Sequence, residues 1–148
     1  MNNFIVDKYF NFLITEFNFK GPITYNFYRE IHTDYIKDNI VVKIVYDGDY
    51  WCDLIKIKGG SKDILFREKR IVDIDREKLI YYEISDLDIN RNLYHSIFID
   101  DSSEKELWYY STLLKKNPDV LNGDFRKFSF WSLFFNKLIY TVSTILKH

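Results

Sequence analysis

The chain has 148 residues, of which 47% are hydrophobic, and its 21 Lys and Arg residues against 22 Asp and Glu residues give a formal net charge of -1. This length fits a single globular domain over 1–148, and the hydrophobic content excludes a wholly disordered chain. The balanced charge argues against a protein that coats nucleic acid, and the single cysteine, Cys52, excludes an intrachain disulfide framework and a multi-cysteine zinc site.

The N-terminal region predicts one helix over residues 3 to 17. Its apolar residues recur at helical spacing, namely Val6, Phe10, Leu13 and Phe17. Asn2 or Asn3 is expected to cap the first turn, and Gly21-Pro22 is expected to stop the helix. Asp7 interrupts the short apolar run before it, which is then too short for a signal peptide, so we expect a cytoplasmic protein.

From Ile23 to Ile36 the pattern changes to a period of two, which predicts a single half-buried strand. One face is expected to pack on the core and carries Ile23, Tyr25, Phe27, Ile31 and Tyr35. The other face is expected to be solvated and carries Thr24, Asn26, Tyr28, Glu30, His32 and Asp34.

Three residues of the polar face, Glu30, His32 and Asp34, form the most suggestive polar set in the chain. Two carboxylates and an imidazole on one face suit a divalent metal, or acid–base chemistry in which Asp34 orients His32. Strand alternation alone also explains the set, and no His-Glu-x-x-His signature accompanies it. We therefore expect no functional metal and no cofactor, and a small metal-binding protein or enzyme using these residues is the alternative.

Asp47-Gly48-Asp49 separates the apolar runs 40–46 and 50–57 and predicts an antiparallel hairpin. Two registers remain open. Asp47-Gly48 has the chemistry of a two-residue turn, whereas a three-residue loop would place Lys43 opposite Asp53.

Acidic and aromatic residues gather at this hairpin and predict a partner-binding site. The candidate residues are Asp47, Asp49, Tyr50, Trp51 and Asp53. The carboxylates would attract a basic protein surface, and an exposed ring would supply a desolvated contact. The competing interpretation places Trp51 in the core, because tryptophan is highly buried on average.

The second half of the chain predicts strands and then helices. The expected strands are Ile64–Ile74, Leu79–Ile84 and Leu93–Ile99, with a short helix over Lys62–Arg70 as an alternative. Ser103 and Glu106 match the capping box of a helix that ends at Asn117-Pro118.

Asp124 can cap a last helix with an apolar stripe that is expected to pack on the sheet. The stripe consists of Trp131, Phe135, Leu138, Val142 and Ile145. Residues 128–146 are long enough to span a bilayer, but serine, threonine and asparagine residues interrupt them, which favours an amphipathic helix and no membrane span.

Together these elements predict an α+β domain. An antiparallel meander sheet would be covered by an N-terminal helix and two C-terminal helices in a two-layer sandwich. No Gly-x-Ser-x-Gly elbow is present in the sequence, and Cys52 is expected to be a buried, inert thiol within a strand.

Four segments carry a family resemblance: Phe19-Lys20-Gly21-Pro22, Arg29-Glu30-Ile31-His32-Thr33-Asp34-Tyr35, Tyr46-Asp47-Gly48-Asp49-Tyr50 and Asn117-Pro118-Asp119-Val120-Leu121-Asn122-Gly123-Asp124. Across most of its length the chain resembles small bacterial proteins of the toxin-immunity type. The resemblance implies a cytoplasmic protein-binding domain that neutralises a toxin, which would be a basic protein, by covering its active surface. It identifies no catalytic residue. A homodimeric structural domain is a further alternative.

Overall fold

The computed structural model describes residues 3–59, 70–97, 102–128 and 145–146. Its helices and strands are α1 (Asn3–Phe10), α2 (Phe12–Phe17), β1 (Lys20–Phe27), β2 (Glu30–Lys37), β3 (Ile40–Tyr46), β4 (Tyr50–Ile57), β5 (Leu79–Glu83), α3 (Asn92–His95), α4 (Ser102–Lys116) and α5 (Pro118–Leu121). Within the described residues the sheet has five strands in the order β1-β2-β3-β4-β5, and every neighbouring pair is antiparallel. The predicted α+β meander is confirmed.

The predicted N-terminal helix is divided at Asn11, which keeps helical dihedral angles between α1 and α2. The predicted apolar face is confirmed, since Val6, Phe10 and Leu13 are fully buried and Phe17 is partly buried. Asn18 ends α2 in the left-handed conformation at φ 63°, and the N–H of Phe19 donates to the Leu13 carbonyl. Asn18 is therefore the stop.

Gly21-Pro22 lies inside β1, so its predicted role as a helix stop is wrong. The pairing of β1 with β2 shifts at these residues. Gly21 has φ 132°, and a Cβ there would lie 2.6 Å from the carbonyl oxygen of Asp34. The close approach of the two backbones explains glycine at this irregularity in the strand.

The single strand predicted from Ile23 to Ile36 is wrong. The chain reverses at Tyr28-Arg29, and β1 and β2 form a hairpin with Phe27 opposite Glu30. Residues that face each other across an antiparallel pair share a sheet face. The reversal therefore places Tyr25 opposite His32, on the same face of the sheet. In a continuous strand these two side chains would point to opposite faces.

The β3–β4 hairpin has the three-residue loop Asp47-Gly48-Asp49, with Tyr46 opposite Tyr50. Lys43 consequently lies opposite Asp53, as expected for this register. Gly48 adopts φ 78°, the left-handed conformation that the loop requires.

The helices cover one face of the sheet. Buried residues on this side include Phe10 and Leu13 from the first helices, Tyr35, Val42, Ile44 and Leu54 from the sheet, and Leu107 and Leu114 from α4. The other face carries a smaller apolar cluster of Ile36, Val41, Ile55 and Ile57, which Ile71 joins from outside the sheet.

The sequence predictions for the second half have mixed outcomes. The strand Leu79–Ile84 is confirmed as β5. The strand Leu93–Ile99 is wrong, because the described part contains α3 and a turn, and the described end of Ile64–Ile74 forms a 3-10 turn at Ile71–Asp73. The alternative helix over Lys62–Arg70 lies outside the described residues except for Arg70, which is not helical.

The helix predicted to follow Ser102 is confirmed as α4, although the Ser103 side chain of the predicted capping box lies outside what the structure describes. Of the predicted C-terminal stripe, Trp131, Phe135, Leu138 and Val142 also lie outside the described residues. Ile145 is 66% exposed, so its predicted packing on the sheet is wrong. None of the helices described is long and apolar enough to cross a membrane.

Candidate functional site

A network of polar side chains lies on the sheet face away from the helices. Glu30, His32 and Asp34 project to this face from β2, as strand alternation predicts, and the register adds Tyr25 from β1 and Lys43 from β3. Asp34 and Lys43 lie directly opposite each other and are 1% and 3% exposed.

The expected solvation is therefore wrong for His32 and Asp34, whereas Thr24, Asn26 and Tyr28 are exposed as expected. His32 is buried, with its ring centroid 5.4 Å from that of Tyr25 and 5.5 Å from that of Phe27. Both rings come from β1, which folds back beside β2 at Tyr28-Arg29. The β1–β2 hairpin thus supplies aromatic cover that a continuous strand could not supply.

Lys43 is the centre of this network. Its ammonium donates to Tyr25 Oη at 2.6 Å and to His32 Nδ1 at 2.9 Å. The ammonium also forms an ion pair with Asp34 Oδ1 at 3.0 Å. The geometry of this contact is not that of a hydrogen bond. Tyr25 in turn donates to Asp34 Oδ2 at 2.7 Å. Burial lowers the pKa of Lys43, and the Asp34 carboxylate opposes that shift.

The same contacts engage both ring nitrogens of His32. With a charged Lys43 donating to Nδ1, that nitrogen accepts, and Nε2 carries the proton that is donated to Glu30 Oε2 at 2.6 Å. A metal ion at His32 would have to displace Lys43 or Glu30. In residues 3–59, 70–97, 102–128 and 145–146, no three His, Cys, Asp or Glu side chains converge to hold a metal.

The residues predicted to form the partner site do not share one surface. Asp47 and Asp49 are exposed at the hairpin tip. Tyr50 is buried on the helix side, with its ring 4.7 Å from that of Tyr46, so it belongs to the core. Trp51 and Asp53 are half-buried on the opposite face.

A pocket of about 390 Å³ lies beside Trp51 and Asp53. It is lined by Trp51, Cys52, Asp53, Tyr81, Tyr82, Glu83 and Tyr110. It forms where β5 ends at Glu83, opposite Asp53, while β4 extends beyond that point at residues 50–52.

Sequence reasoning missed Tyr81, Glu83 and Tyr110 as site residues. The strand Leu79–Ile84 was predicted, but no sequence pattern identified β4 as its partner, and Tyr110 reaches the pocket from α4. Cys52 also lines the pocket. It is buried, as expected, and burial raises its pKa well above the ordinary value, so the inert-thiol interpretation stands.

The pocket contains two carboxylates, those of Asp53 and Glu83. Burial raises the pKa of Asp53, the positive charge of Lys43 opposes the shift, and Glu83 adds to it. The Asp53 carboxylate makes no hydrogen bond or salt bridge in the part of the chain that the structure describes. Glu83 accepts a hydrogen bond from Ser85 Oγ at 3.1 Å. Like charges directly opposite each other on neighbouring strands repel, and Lys43, which lies opposite Asp53 on β3, offsets part of that repulsion.

Comparison of the chain with protein-family models, with curated proteins and with solved structures finds no match. Asp47, Asp49 and the pocket carboxylates of Asp53 and Glu83 belong to neither of the two apolar core clusters. Functional sites often contain ionisable groups whose charged form is destabilised by the surrounding fold.

We expect Asp53→Asn to stabilise the domain by about 0.5 kcal/mol at pH 7. The pKa of Asp53 is higher in the folded protein than its unfolded value of 3.8. The protonated carboxyl group therefore stabilises the fold below pH 3.8, and this stabilisation is lost as the pH rises through the folded-state pKa. The gain should therefore shrink as the pH falls toward 3.8. Urea unfolding of both proteins at several pH values measures it, and a variant less stable at pH 7 would contradict it.

Proposed function

We propose that the protein is a binding protein that captures a basic protein partner with an acidic surface on the β3–β4 hairpin and the end of β5. This acidic surface consists of Asp47, Asp49, Asp53 and Glu83. The observation that carries the proposal is the opposed pair Asp53 and Glu83 in an aromatic-lined pocket, with no salt bridge to either in the described residues. A basic partner would supply the missing positive charge.

Asp49 and Asp53 lie near the same end of β4. At about 3.3 Å per residue, Asp53 lies roughly 10 Å along β4 from Tyr50, which directly follows Asp49, so both carboxylates fit within one protein interface. Trp51 lies between them and is half-buried. Exposed carboxylates accelerate association with a basic surface, and a large ring that loses its remaining water on binding slows dissociation.

The concrete form of this proposal is an immunity protein that acts in the cytoplasm of a bacterium and neutralises a toxin by covering its active surface. The resemblance of the four sequence segments 19–22, 29–35, 46–50 and 117–124 to such proteins supports this form. A toxin that acts on a polyanion presents a basic active surface, to which the acidic surface is complementary.

The test uses the full chain and a toxin encoded beside it in the genome, produced as an inactive variant. Asp47→Lys with Asp49→Lys should slow association at least about tenfold at low salt and reduce its salt dependence. Folding should change by no more than about 0.5 kcal/mol, because both side chains are exposed. Surface plasmon resonance at several salt concentrations measures the rates.

The matched control is Asp75→Lys with Glu77→Lys. These exposed acidic residues have the same spacing and lie before the start of β5, at the end of that strand away from Glu83. The control makes the same change in net charge, so it should leave association nearly unchanged. If both double variants slow association equally, net charge explains the effect and the hairpin tip is not the recognition surface.

A further inference from the structure

The pocket beside Trp51 combines a cavity, aromatic walls and two facing carboxylates. We propose that it receives the guanidinium group of an arginine side chain from the protein partner, with Asp53 and Glu83 as its hydrogen-bond acceptors and Trp51 as its stacking surface. This inference rests on the proposed function and names the chemical group that the pocket recognises.

The two carboxylates are placed for a planar donor with several N–H groups. Asp53 and Glu83 are direct cross-strand partners, and such partners have Cβ atoms roughly 5 Å apart on one face. Asp53 is half-buried and Glu83 is exposed, so one carboxylate lies deep and the other lies at the rim. A guanidinium has five N–H donors in a fixed plane and can donate to both carboxylates at once.

The aromatic lining favours guanidinium over ammonium. Trp51, Tyr81 and Tyr110 line the pocket, and Tyr81 is 50% exposed. A guanidinium is more weakly hydrated than an ammonium and stacks on aromatic faces, so it loses less on entering a half-buried aromatic site. Tryptophan is the best partner for this contact.

Neither pocket carboxylate has a salt-bridge partner among the described residues. Lys43 lies opposite Asp53 on the neighbouring strand β3. Its ammonium group, however, makes its hydrogen bonds and ion pair with Tyr25, His32 and Asp34. Burial and then the Asp53 carboxylate raise the pKa of Tyr81, and the positive charge of Arg76 opposes that shift. The two carboxylates therefore lack a directly paired cation in the described residues, and a guanidinium could supply one.

The binding test titrates the full chain with N-acetyl-L-arginine methylamide and follows the three tryptophan indole N–H signals by NMR, with Trp51 assigned from Trp51→Phe. The arginine probe should shift the Trp51 signal saturably. The citrulline analogue, which has the same shape without the charge, should bind at least about tenfold more weakly. The lysine analogue should also bind more weakly than arginine. Equal binding of arginine and citrulline, or tighter binding of lysine, would overturn the proposal.

Two variants locate the site. Asp53→Asn and Glu83→Gln should each weaken arginine binding at least about tenfold, because each removes a charged acceptor. Glu77→Gln removes an exposed carboxylate at the other end of β5 and should leave binding unchanged within about twofold. If unfolding measurements show that Asp53→Asn does not fold, the Glu83→Gln variant, which changes an exposed residue, tests the proposal. Unchanged arginine binding in folded Asp53→Asn or in Glu83→Gln would overturn the assignment.

Measuring toxin binding and arginine binding in the same variants distinguishes a failure of this inference from a failure of the proposed function. A toxin that binds the full chain with equal affinity after Glu83→Gln and Trp51→Phe would leave the proposed function intact and overturn the arginine pocket. Saturable arginine binding that requires Asp53, without binding of the toxin, would support the pocket and contradict the toxin as partner. Loss of toxin binding in the same variants that lose arginine binding would support both.

Discussion

Lys43→Met is expected to lower the free energy of unfolding by about 3–5 kcal/mol, since removal of one member of a buried ion pair leaves the other uncompensated. The change would leave Asp34, which is 1% exposed, with the Tyr25 hydroxyl as its donor. It would also remove the donor to His32 Nδ1. Methionine fills much of the same volume, so the loss would report the ionic contacts more than a cavity. Urea unfolding measures the change as a lower midpoint at an unchanged slope.

The double variant Lys43→Met with Asp34→Asn should recover roughly half of that loss or more, because it removes the buried charge together with its partner. Lys58→Met is the matched control. Lys58 is exposed just after β4, and its substitution should change stability by no more than about 0.5 kcal/mol. A Lys43→Met protein as stable as this control would show that the network contributes nothing to the fold.

Asp88→Ala is expected to cost about 3 kcal/mol, because a buried carboxylate with several charge-assisted hydrogen bonds is lost. Asp88 accepts from the backbone N–H groups of Leu93 and Tyr94 at 3.0 and 3.1 Å, and from the Tyr109 hydroxyl at 2.8 Å. It thereby attaches α3 to α4. Thermal or urea unfolding measures the loss.

The substitution Tyr109→Phe tests the source of this cost. The Tyr109 side chain is 1% exposed, and after Asp88→Ala its hydroxyl would be a buried donor without its acceptor. The double variant should therefore be less destabilised than the sum of the two single variants. Asp75→Ala, at an exposed aspartate without a capping hydrogen bond, should change stability by no more than about 0.5 kcal/mol. Strict additivity of the two core changes would contradict the proposed coupling.

The β3–β4 hairpin was predictable because its local signals agree. Alternating apolar residues and the loop Asp47-Gly48-Asp49 point to the same structure. Its register required the tertiary fold, since both turn lengths were open in the sequence. In the observed register Val42, Ile44 and Leu54 face the helices and are buried there, and a slip of one residue would move them to the other face.

The β1–β2 hairpin was not predictable from the same rules. Residues 23–36 alternate without a Gly or Pro at Tyr28-Arg29, so local chemistry does not signal the reversal. Tyr28 adopts φ 55° in the observed turn, a conformation that bulky residues rarely adopt. The pairing of β1 with β2 and of β2 with β3 outweighs this local preference. The burial of His32 and Asp34 follows from that reversal.

The sequence by itself determined the α+β class, the N-terminal apolar face, the β3–β4 hairpin and the shared face of Glu30, His32 and Asp34, because each depends on periodicity or turn chemistry within a few residues. Only the tertiary structure decided that Lys43 lies between His32 and Asp34 and that Glu83 lies opposite Asp53. Strand pairing between segments distant in the chain depends on the total burial that the whole sheet achieves, and a local pattern does not contain that information.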